Sequence, residues 1–212
     1  MDLSVLPGFI AVVAILVVVP GPDLLLVMTA AANGGSRAVL ATAVGATAGV
    51  GAYLGVVATG LSTILFAEGN QATLAISAVQ LVGGLYLMWL GRKTWHEAQR
   101  VSSQGLRCRR STTSFGWLRR GLTVNLANPK AMVFFAAVLP TFVGSATQPT
   151  AQMLTLGLIL LAAGFTFNVA VGYLVSTTSK RGSGGRVGWV LERAGGVALT
   201  ALGIATVGAA LL

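Results

Sequence analysis

Residues 17–26 read Val-Val-Val-Pro-Gly-Pro-Asp-Leu-Leu-Leu. Two prolines, a glycine and a carboxylate interrupt an apolar run, 3–28, that is otherwise long enough to cross a bilayer. The surrounding sequence makes the interruption informative. The chain has 212 residues, 55% hydrophobic and only 9% charged, and its mean hydropathy is +0.82. A soluble domain carries about 25% charged residues. So few charges cannot cover a water-facing surface, and the composition indicates an integral membrane protein.

Five further apolar runs follow, at 38–66, 72–90, 121–143, 150–177 and 194–212. Each approaches or exceeds the roughly 20 residues that span the hydrocarbon core. Backbone groups in lipid must be satisfied within the segment, so each run is expected to be a helix. The expected fold is all-α: one polytopic membrane domain, 1–212, with six transmembrane helices.

Lysine and arginine set the expected orientation. Arg37 lies between runs one and two, eight basic residues from Arg92 to Arg120 lie between runs three and four, and Lys180, Arg181, Arg186 and Arg193 lie between runs five and six. Lys130 alone of the 14 basic residues falls inside a run. The basic side is cytoplasmic by the positive-inside rule, which puts both termini outside. Trp89, Trp95, Trp117 and Trp189 fall near the same interface, where an aromatic belt would stand. A net charge of +9 would suggest nucleic acid on a polar fold. Here the charge sits between membrane runs, so no nucleic-acid partner is expected. The segment 92–120 reads as a cytoplasmic basic loop lying on anionic membrane lipid.

The two halves resemble each other. Pro20 precedes Tyr53 by the same interval that separates Pro140 from Tyr173, and Val82–Gly91 (VGGLYLMWLG) aligns with Ala194–Gly203 (AGGVALTALG). Three helices per half invert the second copy, which is the pattern of a 3+3 inverted-repeat transporter. Repeat 1 covers about 1–91 and repeat 2 about 121–212. Gly45, Gly49, Gly51 and Gly55 form small-xxx-small spacings that let helix backbones approach and permit a homodimer.

Asp23 and Lys130 are the charges clearly inside apolar runs. Each costs roughly 2.5–3.5 kcal/mol on insertion scales. Counted from the cytoplasmic ends of their helices at about 1.5 Å per residue, both lie near the midplane. Both also adjoin helix breakers. Pro20 and Pro22 remove donors and free the carbonyls of Leu16 and Val18, and Gly21 permits unusual backbone angles. In "NLANPKAM" Pro129 frees the carbonyl of Asn125, and Asn128 adds an amide that donates and accepts. Carbonyls suit an ammonium, and the N–H groups of a restarting helix suit a carboxylate. Asp23 and Lys130 either pair or hold opposite ends of a zwitterion. The candidate substrate-binding or proton-coupling residues are Pro20, Gly21, Pro22, Asp23, Asn128, Pro129 and Lys130. Pro140 is read as a kink. Neither a nucleotide-binding nor a hydrolase motif is present, so no enzyme activity and no cofactor are expected. One clear intramembrane carboxylate argues against a metal site.

The PGPD stretch, the Asn128–Lys130 motif in "NLANPKAMVFF" and "LVGGLYLMWLG" together resemble the LysE/RhtB family of amino-acid exporters. The likeness runs over nearly the whole chain. It implies efflux of amino acids or related small metabolites across the bacterial cytoplasmic membrane, driven by the proton gradient or the membrane potential. It points to the homoserine/threonine-type branch and to neutral amino acids. Two other readings stay open on the residues alone: a membrane scaffold or sensor working through the basic loop, and a cation or metal exporter.

Overall fold

The computed structural model describes residues 2–19, 21–65, 70–97, 113–143, 147–178, 197 and 200–208. Among these residues the fold is all helical. Helix α1 spans Leu6–Val18, α2 Pro22–Leu65, α3 Asn70–Glu97, α4 Ser114–Leu126, α5 Pro129–Val133 and α6 Pro149–Thr178, with a further helical segment at 200–208.

The first apolar run is two helices rather than one. Pro7 lies in the first turn of α1, where its missing N–H costs nothing. The helix ends because Val19 precedes Pro20 and is driven to extended backbone, φ −64° and ψ 116°. The chain restarts at Pro22, the first residue of α2, with Asp23 in the first turn complementing the helix dipole. α2 is itself divided at Gly35, whose φ of 65° and ψ of −161° no side chain tolerates readily. Runs one and two are therefore separated by a one-residue break.

The fourth run is built the same way. Thr113 caps α4 by accepting a hydrogen bond from the Gly116 N–H at 3.2 Å. The helix stops at Leu126, Asn128 takes an extended conformation before Pro129, and α5 begins at that proline. The two parts, Ser114–Leu126 and Pro129–Phe142, are bent by 48°. Beyond α5 the chain widens into a π-helical turn, Phe134–Val138, and then tightens into a 3₁₀ turn, Leu139–Phe142. Pro140 sits in the latter, and the Leu139 N–H reaches back to Phe134 O, five residues earlier. Local π and 3₁₀ adjustments of this kind absorb a proline without leaving carbonyls orphaned.

Close approach of α2, α4 and α6 builds the body. A Cβ on Gly45 would stand 2.0 Å from Leu118 O, and one on Gly121 2.2 Å from Thr42 O. Only glycine allows this crossing of α2 and α4. Gly49 fits against the Cβ of Asn125, whereas a Cβ on Gly51 or Gly55 meets nothing within 4 Å. The small-residue stripe therefore serves the α2–α4 contact in its first half. Gly172 brings α6 against Val27 and Val39 of α2. Gly84 of α3 and Gly203 of the last segment pack on each other's carbonyls, at 2.9 and 2.6 Å from the added Cβ positions. The two stretches that align in sequence thus meet in space. The paired tyrosines differ in their surroundings: Tyr53 donates its hydroxyl to Leu126 O and stacks on Phe135, while Tyr173 is 42% exposed.

Phe9, Leu16, Val19, Phe134, Phe135, Leu87, Leu156 and Leu202 form the main core. Around it, Val56, Val82, Leu85 and Leu158 are well exposed, as lipid-facing residues would be. Two described helices, Pro22–Ala58 and Pro149–Thr177, are long and apolar enough to cross a membrane, and the bent pair makes a third. Trp117 departs from the interfacial belt: it is 2% exposed, packed beside Gly34, Ala30 and Ala38, with Arg120 stacked on its ring at 5.2 Å. Trp89 is 53% exposed, with Tyr86 and the Lys93 ammonium against it, as a belt residue would be. Within the basic segment, α3 continues through Arg92 and Lys93 to Glu97 and α4 starts at Ser114. Pro20, Trp189, the residues 98–112 and the side chain of Trp95 lie outside the described part.

Candidate functional site

The two helix breaks meet. Lys130, 8% exposed, extends from the first turn of α5 to the C-terminal end of α1. Its Nζ donates to Val19 O at 2.9 Å and to Leu16 O at 3.3 Å. The carbonyl of Leu16 is one of the two that the proline spacing frees. Val19 takes the place expected of Val18, because its extended backbone turns the carbonyl away from the helix axis. An ammonium here also faces the negative end of the α1 dipole.

Asn128 ties the breaks together from the other side. Its Oδ1 caps α5 by accepting from the Lys130 N–H at 3.1 Å, and its Nδ2 donates to Asp23 Oδ1 at 3.5 Å. Its own N–H donates to Asn125 O at 3.0 Å, so the carbonyl that Pro129 frees is satisfied by a local turn. Asp23 is half-buried. It makes no ion pair with Lys130 within 4.0 Å. The two charges instead flank Gly21, where an added Cβ would lie 2.6 Å from Asp23 Oδ1 and 3.1 Å from Lys130 Nζ. The two charges thus stand on either side of the Gly21 backbone. Pro22 and Pro129 start their helices and place Asp23 and Lys130 one residue further on.

A cavity of about 570 Å³, counted with its mouth, opens on this junction. Asp23, Asn128 and Lys130 line one part of it. Thr47 of α2, Asn125 of α4 and Asn168 of α6 add neutral polar groups, and Phe134, Phe135, Phe165 and Phe167 form aromatic wall. A carboxylate and an ammonium, held apart in a largely apolar pocket, complement a small zwitterion. Among the described residues, no group of three or more His, Cys, Asp and Glu side chains gathers in a way that could hold a metal ion.

Asn125, Asn168 and Thr47 are the members that a search for intramembrane charge passes over. Asn125 and Asn168 are 2% and 7% exposed. The available signal was an amide in an otherwise apolar run, at "VNLANP" and "FTFNVAV". A buried amide also needs partners.

The profile of LysE type translocators matches residues 14–208. The chain belongs to this family. It is therefore a membrane transporter rather than an enzyme, and its ligand is a small molecule. A homoserine/homoserine lactone efflux protein of Salmonella typhimurium (strain LT2) is 33% identical over 155 residues, covering 73% of this chain and 71% of the relative. A threonine efflux protein of Escherichia coli (strain K12) is 29% identical over 174 residues, covering 81% and 82%. No solved structure matches the chain.

Proposed function

We propose that this translocator exports small neutral amino acids from the bacterial cytoplasm, with hydroxy amino acids such as homoserine and threonine as its leading substrates. The carrying observation is the junction of two broken helices at one cavity, with Asp23 and Lys130 on opposite sides of Gly21. Asp23 receives the substrate ammonium, and Lys130 receives the carboxylate. Pro20, Gly21, Pro22, Asn128 and Pro129 shape the two breaks. The names of the relatives support the substrate class.

In this reading six spans form a 3+3 inverted repeat in the cytoplasmic membrane, with both termini outside. The contact between Gly84 and Gly203, which lie in the two aligned stretches, supports the repeat. Alternating access rocks one repeat against the other around the fixed site, driven by the proton gradient or the membrane potential.

The test is export from cells preloaded with amino-acid dipeptides, comparing deletion and overexpressing strains by mass spectrometry of the medium. Overexpression raises the efflux of threonine or homoserine, and Asp23→Asn abolishes that rise while the protein remains in the membrane. Wild-type efflux by Asp23→Asn removes the carboxylate from the mechanism.

A further inference from the structure

One polar atom at the cavity is left without a partner. The Oδ1 of Asn125 is fully buried and accepts no hydrogen bond from any described residue. The side chain belongs to the last turn of α4, one turn before Asn128, and lines the same cavity as Asp23 and Lys130. Its position is fixed from two directions. Its backbone carbonyl accepts from the Asn128 N–H at 3.0 Å, and its Cβ is pressed against the bare backbone of Gly49 on α2. The large majority of buried side-chain polar atoms in folded proteins have a hydrogen-bond partner. An orphan one on a residue that lines a ligand cavity is placed to take a donor that the ligand brings, once the side chain turns toward it.

The other polar groups narrow what that donor is. On the export reading, which this inference rests on and deepens, the ammonium goes to the Asp23 carboxylate and the carboxylate goes to Lys130. A zwitterion's remaining variable group is its side chain. We propose that Asn125 is the specificity-determining residue, its Oδ1 accepting a hydrogen bond from a hydroxyl or amide N–H on the side chain of the transported amino acid. A site built around such an acceptor discriminates against an isostere lacking the donor, because the buried oxygen then stays unpaired. Phe134 and Phe135, both fully buried, line the same cavity.

The probes are homoserine and 2-aminobutyrate, which share a carbon skeleton and differ by one hydroxyl. The full chain is reconstituted in proteoliposomes, and transport of each labelled amino acid is measured under the same imposed gradient. Wild-type protein is expected to favour homoserine by at least about tenfold in kcat/KM. Asn125→Leu is expected to bring that ratio close to one, whatever its effect on the absolute rates. A purely structural role for Asn125 would lower both rates together and leave the ratio intact, and that result overturns the assignment. A wild-type ratio near one overturns it without any variant, so a poorly folding Asn125→Leu protein does not protect the idea. Transport of neither amino acid by wild-type protein is a distinct failure, which sinks the export reading and this assignment with it.

Discussion

The Nζ of Lys130 lies 2.9 Å from the carbonyl oxygen of Val19, on the far side of the chain's first helix break. A second bond, to Leu16 O at 3.3 Å, makes the ammonium the cap of α1. One residue of the fourth apolar run therefore closes the end of a helix in the first. The same ammonium is the cation that would meet a substrate carboxylate. Capping and binding compete for one group, so a substrate that draws Lys130 away loosens the end of α1 at the moment of binding. In the proposed mechanism, that link between occupancy and the geometry of the break would give alternating access a local trigger.

This predicts how Lys130 variants divide. Lys130→Met keeps the chain's length and apolar packing but leaves two carbonyls without a donor. Each lost bond to a charged group is worth about 1.5–3 kcal/mol, partly offset because no charge then needs burying. Transport should fall to background, with only a modest change in the melting temperature of the detergent-solubilised protein. Lys130→Arg keeps the charge on a bulkier planar head. It should retain membrane insertion yet transport at least about tenfold more slowly. Full transport by Lys130→Met would show that the ammonium serves packing alone.

Gly21 offers a way to disturb the site without disturbing the fold. A methyl group there would meet the ends of two flexible side chains, Asp23 Oδ1 at 2.6 Å and Lys130 Nζ at 3.1 Å. Both can shift aside, so Gly21→Ala should alter thermal stability little. Both would then leave their places around the cavity, and misplacing a binding group by about 1 Å can cost on the order of a hundredfold. Transport assays should show at least a tenfold loss with normal expression. An unimpaired Gly21→Ala transporter would mean that the space between the two charges is not where substrate sits.

Much of this arrangement is legible in the sequence, and the reasons are physical. Prolines beside charges in an apolar run have few structural excuses, so PGPD and NPK mark both breaks before any coordinates. The charge census puts Asp23 and Lys130 at similar depth, and the structure brings both to one cavity. The rest depends on three-dimensional packing. Which carbonyls Lys130 reaches depends on backbone geometry: Val19 replaces Val18 there because ψ changes sign at the last residue before Pro20. The burial of Trp117 follows from the proximity of Gly34 and Ala38 on α2, which no local pattern around Trp117 reveals. Asn125 shows in the sequence only as an amide in an apolar run; the crossing of α4 over Gly49 and the orphaned Oδ1 show that its carboxamide is buried with an acceptor unused.

That crossing makes the last prediction, which separates two glycines six residues apart on α2. At Gly45 an added Cβ would stand 2.0 Å from Leu118 O, a backbone atom that cannot move without moving α4. Overpacking of this kind typically costs about 1–3 kcal/mol. For a chain of this size each kcal/mol lowers the melting temperature by roughly 2–4 °C. Gly45→Ala should therefore melt several degrees below wild type in detergent. At Gly51 the added Cβ meets nothing within 4 Å, and its backbone is helical. Replacing a helical glycine by alanine there restricts the unfolded chain and stabilises by about 0.4–1 kcal/mol. Gly51→Ala should melt at or slightly above the wild-type temperature. Transport should follow the same division: α4 carries Asn125 and leads into Asn128, so pushing it off α2 displaces two polar groups of the cavity. Equal melting temperatures for the two variants would refute the close α2–α4 crossing on which the position of Asn125 depends.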